Sequence, residues 1–185
     1  MLSHDVPPPR QRRITRDEYH RMERIGLFHG ERVELIHGIL LQMAPIGPPH
    51  ADVVDFLNEL FVPRLARRAK VRIQQPLLAW DESEPEPDVA LVRPGRYSGS
   101  HPDEAFLVVE VAETSLDYDR NTKAPLYARS GVAEYWIVDL ADRSVLVHTG
   151  PAEEGYQQVS RVGVDGSVAP AAFPDVTVAV ADLFG

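Results

Sequence analysis

Apolar and polar positions along this chain follow two periods, and the changes between them mark out its elements. Thr15-Arg16-Asp17-Glu18 pairs a hydroxyl with an acid three residues on, the signature of a helix start, and the helix is expected to reach about Ile25. Arg32–Ile36 and Ile39–Met43 read as a hairpin turning at His37-Gly38. Beyond a loop from Pro45 to Pro49, Val53, Val54, Leu57, Leu60, Phe61 and Leu65 recur at helical spacing from His50 onward. Pro63 has no amide hydrogen and is expected to kink or split that helix. Strands follow near Val71–Leu78, Asp88–Val92 and Phe106–Ala112, then a helix over about 121–130 closed by Gly131. Glu134–Asp139 and Ser144–His148 are the next strands. The end reads as β, with a segment near Tyr156–Val162, a turn at Asp165-Gly166 and a strand at Val176–Val180.

Helix, three strands, helix, strand is the order of an α/β mixed sheet flanked by helices, here with added β hairpins at both ends. One domain is expected over residues 14–185, preceded by a mobile tail over 1–13, where Pro7-Pro8-Pro9 meets several arginines. With 44% hydrophobic and 25% charged residues the chain can bury a core. No apolar run approaches the ~18 residues of a membrane helix, and there is no apolar secretory start, so a soluble cytoplasmic protein without a membrane partner is expected. The lack of cysteine removes disulfides and thiolate metal sites.

A formal charge of −9 argues against a protein that coats nucleic acid through bulk attraction, but the charge is uneven. Arg64, Arg67, Arg68, Lys70 and Arg72 form a basic stretch, readable either as a phosphate-holding face or as a solvated helix flank. The acids from 81 to 86 read as a solvated turn. The remaining histidines are scattered without ligand spacing.

Glu110 changes this picture, because it interrupts the apolar run Ala105–Ala112 of a strand covered on both faces. An ionised carboxylate there costs about several kcal/mol unless a cation or donors meet it. Asp88 stands just inside the preceding strand, and alternation of side chains lets the two acids converge if the strands are neighbours. Two close carboxylates repel, and a hard divalent ion removes that penalty; the plainer alternative is an internal pair between Glu110 and a lysine or arginine. Pro125 belongs in a first helical turn, with Asn121 or Thr122 as the cap, which places Lys123 at the positive end of the helix. A lysine there gains little unless it faces an anion, either a catalytic acid or, locally, Asp119.

Pro87-Asp88, Glu110-Val111-Ala112 and Lys123 resemble the catalytic signature of the PD-(D/E)xK nuclease superfamily. Glu34-Leu35-Ile36-His37-Gly38, Asp119, Tyr127-Ala128 and Gly131 through Asp139, with Phe173-Pro174-Asp175 and Leu183-Phe184 near the end, resemble one branch of it. That branch is the Uma-two family of restriction-endonuclease-like proteins, long treated as a domain of unknown function, and the likeness covers about residues 15–185.

The resemblance implies a restriction-endonuclease-like core and a metal-dependent endonuclease. Asp88, Glu110 and the backbone carbonyl of Val111 would hold Mg²⁺ or Mn²⁺, and Lys123 would orient or help deprotonate the attacking water. DNA is the implied substrate, cut to a 5′-phosphate and a 3′-hydroxyl. The superfamily's lysine two residues after the strand acid is Ala112 here, and the resemblance implies a lysine supplied instead from the following helix, which matches Lys123. Glu34 could join the metal pair or bind a second ion, against a plainer reading as an outward residue of a hairpin. His50 is a candidate substrate contact, against a surface histidine at a helix start. Tyr127, Tyr135 and Trp136 are expected to pack around the site. A catalytically weak or inactive nuclease-fold module that binds nucleic acid or a protein is the alternative function. A homodimer is expected from family analogy and the β-rich flanks.

Overall fold

The structure, a computed structural model, describes residues 11–185, so most of the tail expected over 1–13 lies outside the described residues. Its centre is a six-stranded mixed sheet in the order β3(Lys70–Ile73), β4(Val89–Val92), β5(Leu107–Ala112), β6(Glu134–Asp139), β7(Ser144–Ala152), β8(Gly155–Gly163). Neighbours are antiparallel except β5 and β6, which are parallel and joined by a helical crossover. Strands β4, β5 and β6 are buried at every position because both sheet faces are covered, as their continuous apolar runs require.

The pleat sends alternate residues into two cores. Val89, Leu91, Val109, Val111 and Trp136 pack under α2(Pro48–Leu65) through Val53, Leu57 and Phe61. Ala90, Val108, Ala112, Tyr135 and Ile137 pack under the crossover helix through Ala124 and Tyr127. Each strand therefore assigns its side chains to one helical layer or the other by parity alone. Glu110 shares its parity with Val108 and Ala112, so it faces the crossover helix.

The N-terminal helix α1(Arg16–Arg24) opens with the expected capping box between Thr15 and Glu18. The hairpin β1(Val33–Ile36)–β2(Ile39–Gln42) turns through His37 and Gly38 with φ of 51° and 73°, the left-handed pair a two-residue turn of this hand needs. Two short strands, β9(Ser167–Val168) and β10(Val178–Ala179), form a third sheet near the C-terminus.

Several boundaries differ from those the pattern suggests. The strand expected to run to Leu78 stops at Ile73, because Gln74 has φ of 47° and turns the chain into the Gln75-Pro76 loop. The helix expected from His50 starts at Pro48, where the missing proline donors cost nothing in the first turn, and it runs through Pro63 without splitting. Pro63 lies in its last turn, and the helix ends with Ala66 in the left-handed region.

The crossover helix begins at Leu116 rather than 121, so Asn121 and Thr122 are not its caps. It comprises a short turn α3(Leu116–Tyr118), a π turn over Asp119–Lys123, and α4(Ala124–Arg129). In the π turn the Ala124 amide donates to the Asp119 carbonyl five residues back, so Pro125, which has no amide hydrogen, enters as the ladder resumes. Lys123 is accordingly mid-segment, not at a helix start. The acids of 81–86 are not all solvated either: Glu84 is 2% exposed and is met by His20 and Arg16.

Candidate active site

Asp88 immediately precedes β4, and the β4–β5 ladder places Val89 opposite Val109, one step short of Asp88 and Glu110. The two acids thus arrive side by side at the floor of a cleft of about 380 Å³, walled by the β2–α2 loop and the start of the crossover segment. Asp88 is 6% exposed, Glu110 4% and Lys123 6%. The acid pair and the lysine expected from the sequence are therefore brought together.

Asp88 is held from three sides. Gln74 Nε2 donates to its Oδ1 at 3.2 Å, the Val111 amide donates to Oδ2 at 2.9 Å, and His50 Nε2 lies 3.0 Å from Oδ2. Burial opposes the charge, but these partners outweigh it and hold the carboxyl below its ordinary value. His50 responds in the opposite sense: burial alone would lower its pKa, and the Asp88 bond raises it overall.

Glu110 has one oxygen committed. Lys123 Nζ donates to Oε1 at 2.9 Å and the Tyr127 hydroxyl donates to the same atom at 2.7 Å. Burial pushes the Glu110 carboxyl well up, and Asp88, Asp119 and Glu34 add to it against the pull of Lys123. The lysine is buried too, yet Glu110, Glu34 and Asp119 together raise its pKa above the ordinary value. Lys123 is therefore protonated, and excess negative charge in the cleft falls on the carboxylates.

The secondary candidates divide. Glu34 is 4% exposed with Oε2 3.5 Å from Lys123 Nζ, so the hairpin turns it inward and the outward reading is overturned. His50 reaches the site from the third position of α2, not from a free surface. Asp119 is buried and lines the cleft, but its side chain accepts from Ser115 Oγ at 2.6 Å rather than pairing with Lys123. Burial raises its pKa against the pull of Lys123 and Ser115. Tyr127 is a direct partner of Glu110 and not only a packing residue. Val111 contributes its amide to Asp88, and Trp136 faces the α2 layer.

Gln74, Ser115, Glu113 and Tyr118 also line the cleft and were not singled out by the sequence. Ser115 and Asp119 at a spacing of four carried a signal that helical geometry could have exposed. Gln74 carried none, since its placement depends on where β3 ends. Gly47 faces the Glu113 carboxylate: a Cβ there would lie 2.9 Å from Glu113 Oε2 and would displace the end of that side chain.

Glu34, Asp88, Glu110, Glu113 and Asp119 line this one cleft, against the permanent cations Arg32 and Lys123. Among the described residues no group of three or more His, Cys, Asp or Glu side chains is arranged to hold an ion by itself. Asp88 and Glu110 supply two adjacent carboxylates at the cleft floor.

A mixed sheet between two helical layers, with paired acids at adjoining strand ends, defines an α/β protein of the restriction-endonuclease-like class. The chain belongs to the Uma2 family, described as "Putative restriction endonuclease", whose model matches residues 16–181. Its fold is similar to that of a protein from Anabaena variabilis ATCC 29413, described as "a putative nuclease belonging to DUF820". The two share a TM-score of 0.71 at 16% identity, over 92% of this chain and 97% of the other. No curated protein matches the chain. No helix among the described residues is long and apolar enough to cross a membrane.

Proposed function

We propose that the protein is a metal-dependent endonuclease that hydrolyses DNA phosphodiester bonds. The observation that carries this reading is the convergence of Asp88, Glu110 and Lys123 on one cleft, with Lys123 Nζ 2.9 Å from Glu110. The donor set fits a hard divalent ion such as Mg²⁺ or Mn²⁺, which is held by one or two carboxylates and keeps several waters. Burial, with neighbouring carboxylates adding to it, raises the pKa of Glu110 and Asp119, a cost that a bound cation would offset.

Asp88 and Glu110 would hold the ion, with the Val111 carbonyl as a further ligand. The bound ion would polarise the phosphate and make a coordinated water more acidic. His50 and Gln74 keep the Asp88 carboxylate ionised and fixed in direction. Tyr127 and Lys123 fix the direction of Glu110, and Lys123 pulls against the burial that raises its pKa. A protonated Lys123 acts as a donor and a charge, orienting the nucleophile and stabilising the negative charge that builds on phosphorus-bound oxygens. In-line attack forms the water oxygen–phosphorus bond and breaks the bond to the 3′ oxygen, leaving a 5′-phosphate and a 3′-hydroxyl. A homodimer is part of the proposal, and a monomer in analytical sedimentation would remove it.

Cleavage of duplex and single-stranded DNA, with and without Mg²⁺ or Mn²⁺, by wild type, Asp88→Ala and Lys123→Ala tests the assignment. Divalent-dependent cleavage by wild type alone is expected, and equal cleavage by all three sinks it. The formal charge of −9 and Ala112 in place of the superfamily's lysine favour a second reading, a nuclease-fold module that binds without turnover. Calorimetry separates the two: no heat with either ion supports the module, and binding abolished by Glu110→Ala supports the enzyme.

A further inference from the structure

The cleft is rich in acids, yet a corner at the far end of β3 and β4 gathers positive charge. Lys70 opens β3 opposite Val92, so Arg93 follows beside it, and Arg96 lies on the loop beyond. Arg64 in the last turn of α2, and Arg67 and Arg68 in the turn that leads from it into Lys70, adjoin the same corner. Aromatic rings knit it together: Arg68 lies 5.4 Å from the Phe173 ring, Phe173 meets Phe106 edge-on at 5.3 Å, and Arg93 stands 6.0 Å over Phe106. Lys70 and Arg72 each lie 5.5 Å from the Tyr97 ring. Such packing limits the freedom of long side chains and lowers the entropy lost when they bind an anion.

Not all of this charge is cancelled. Arg68 and Arg93 pair with Asp175 and Glu104. Among the described residues, the Arg64 and Lys70 side chains donate to the neutral carbonyls of Thr177 and Gly95 and enter no ion pair. Arg67 and Arg96 are exposed and enter no ion pair among the described residues. A polyanion approaching the cleft meets Glu34, Glu113 and Asp119 as well as the catalytic pair. Holding it there requires attraction from elsewhere on the surface.

We propose that this corner grips the phosphate backbone of a DNA duplex on one side of the scissile bond; the inference rests on the nuclease reading above. Lys70 to Gln74, the residue that bonds Asp88, is four residues of extended chain, or about 13 Å at roughly 3.3 Å each. That is about four base-pair steps at about 3.4 Å per step. The grip contacts phosphates and not base edges, so it positions the duplex without reading sequence.

The test is fluorescence anisotropy of a short labelled duplex with the full chain, without divalent ions, across a range of salt. Wild type is compared with Arg67→Gln/Arg96→Gln and with Arg67→Glu/Arg96→Glu, whose exposed side chains leave the fold intact. Removing two phosphate contacts should lower the slope of log affinity against log salt by about 2, and reversing both charges should weaken binding further. Unchanged affinity and slope overturn the inference, including the case in which the corner instead meets an acidic protein surface. Hydrolysis of bis(p-nitrophenyl) phosphate, too small to reach the corner, is followed in parallel with Mn²⁺ and should be the same in all three proteins. A wild type inert toward this ester and toward DNA, with duplex binding still falling in the variants, overturns the nuclease reading and leaves the grip standing. An active wild type with unmoved duplex binding overturns the grip alone.

Discussion

Two glutamates lie in the parallel pair at the heart of the sheet, Glu110 on β5 and Glu134 on β6, only 4% and 3% exposed. Burial raises the pKa of both. Their partners differ. Glu134 accepts from the Trp136 indole at 2.7 Å and the Ala171 amide at 2.6 Å, two neutral donors fixed by the fold. Glu110 meets a lysine and a tyrosine at the floor of an open cleft, with other acids close by. A buried carboxylate shows only that donors must be found for it. Chemistry becomes possible where the balancing charge is itself buried and solvent has access to the far side.

The sharpest break between the two acids is catalytic. Glu110→Gln should lower divalent-dependent cleavage by about 10²–10³-fold, the scale of removing one electrostatic contact from a transition state. Glu134→Gln should leave turnover unchanged, and equal losses measured by DNA nicking would erase the distinction. Metal binding adds a sign. Because the Glu110 pKa is raised, protons compete for it at a higher pH than for an ordinary glutamate, so calorimetric Mn²⁺ affinity should fall as pH falls.

Stability gives the next contrast. Lys123→Met leaves Glu110 buried without its cation and should cost about 3–5 kcal/mol in denaturant unfolding, less where Glu110 takes up a proton. Glu134→Ala orphans the Trp136 donor and should cost about 1–3 kcal/mol. The smallest effect is His50→Gln, about 2 kcal/mol at most, and it depends on pH. The His50 pKa is raised above 6.5, so its contribution is fully present below that pH and is lost as pH rises through the raised value. The Asp88 pKa is lowered from 3.8, so the same contribution is lost in acid as pH falls below that value. Unfolding curves of both proteins at pH 5 and pH 8 check this, and a difference that grows toward alkali would contradict it.

Strands β4, β5 and β6 were legible because they are encoded locally, as short apolar runs with both faces covered. The capping box of α1 was legible for the same reason, and so was the pairing of Asp88 with Glu110, which needs only parity and adjacent strands. Glu34 was not, because alternation implies that one face of a strand looks at water. β1 is buried at all four positions, with α1 against one side and the cleft at the other. Glu84 escaped notice because the residues that meet it, Arg16 and His20, lie more than sixty positions away. Lys123 was reached by placing Pro125 in a first helical turn and then by the family resemblance, and its helical surroundings were misplaced because a π turn has no pattern of its own in the sequence.

That turn also fixes the relative phase of the groups on either side of it. Removing one residue from 120–122 would restore an ordinary ladder and would rotate Ser115 and Asp119 by about 100° relative to Lys123. Such a deletion relieves an irregularity that the helix would otherwise carry, so the protein need not be less stable. These cleft-lining groups would simply no longer face one another. Within this segment, regularity and aim are competing specifications, and the chain has kept the aim.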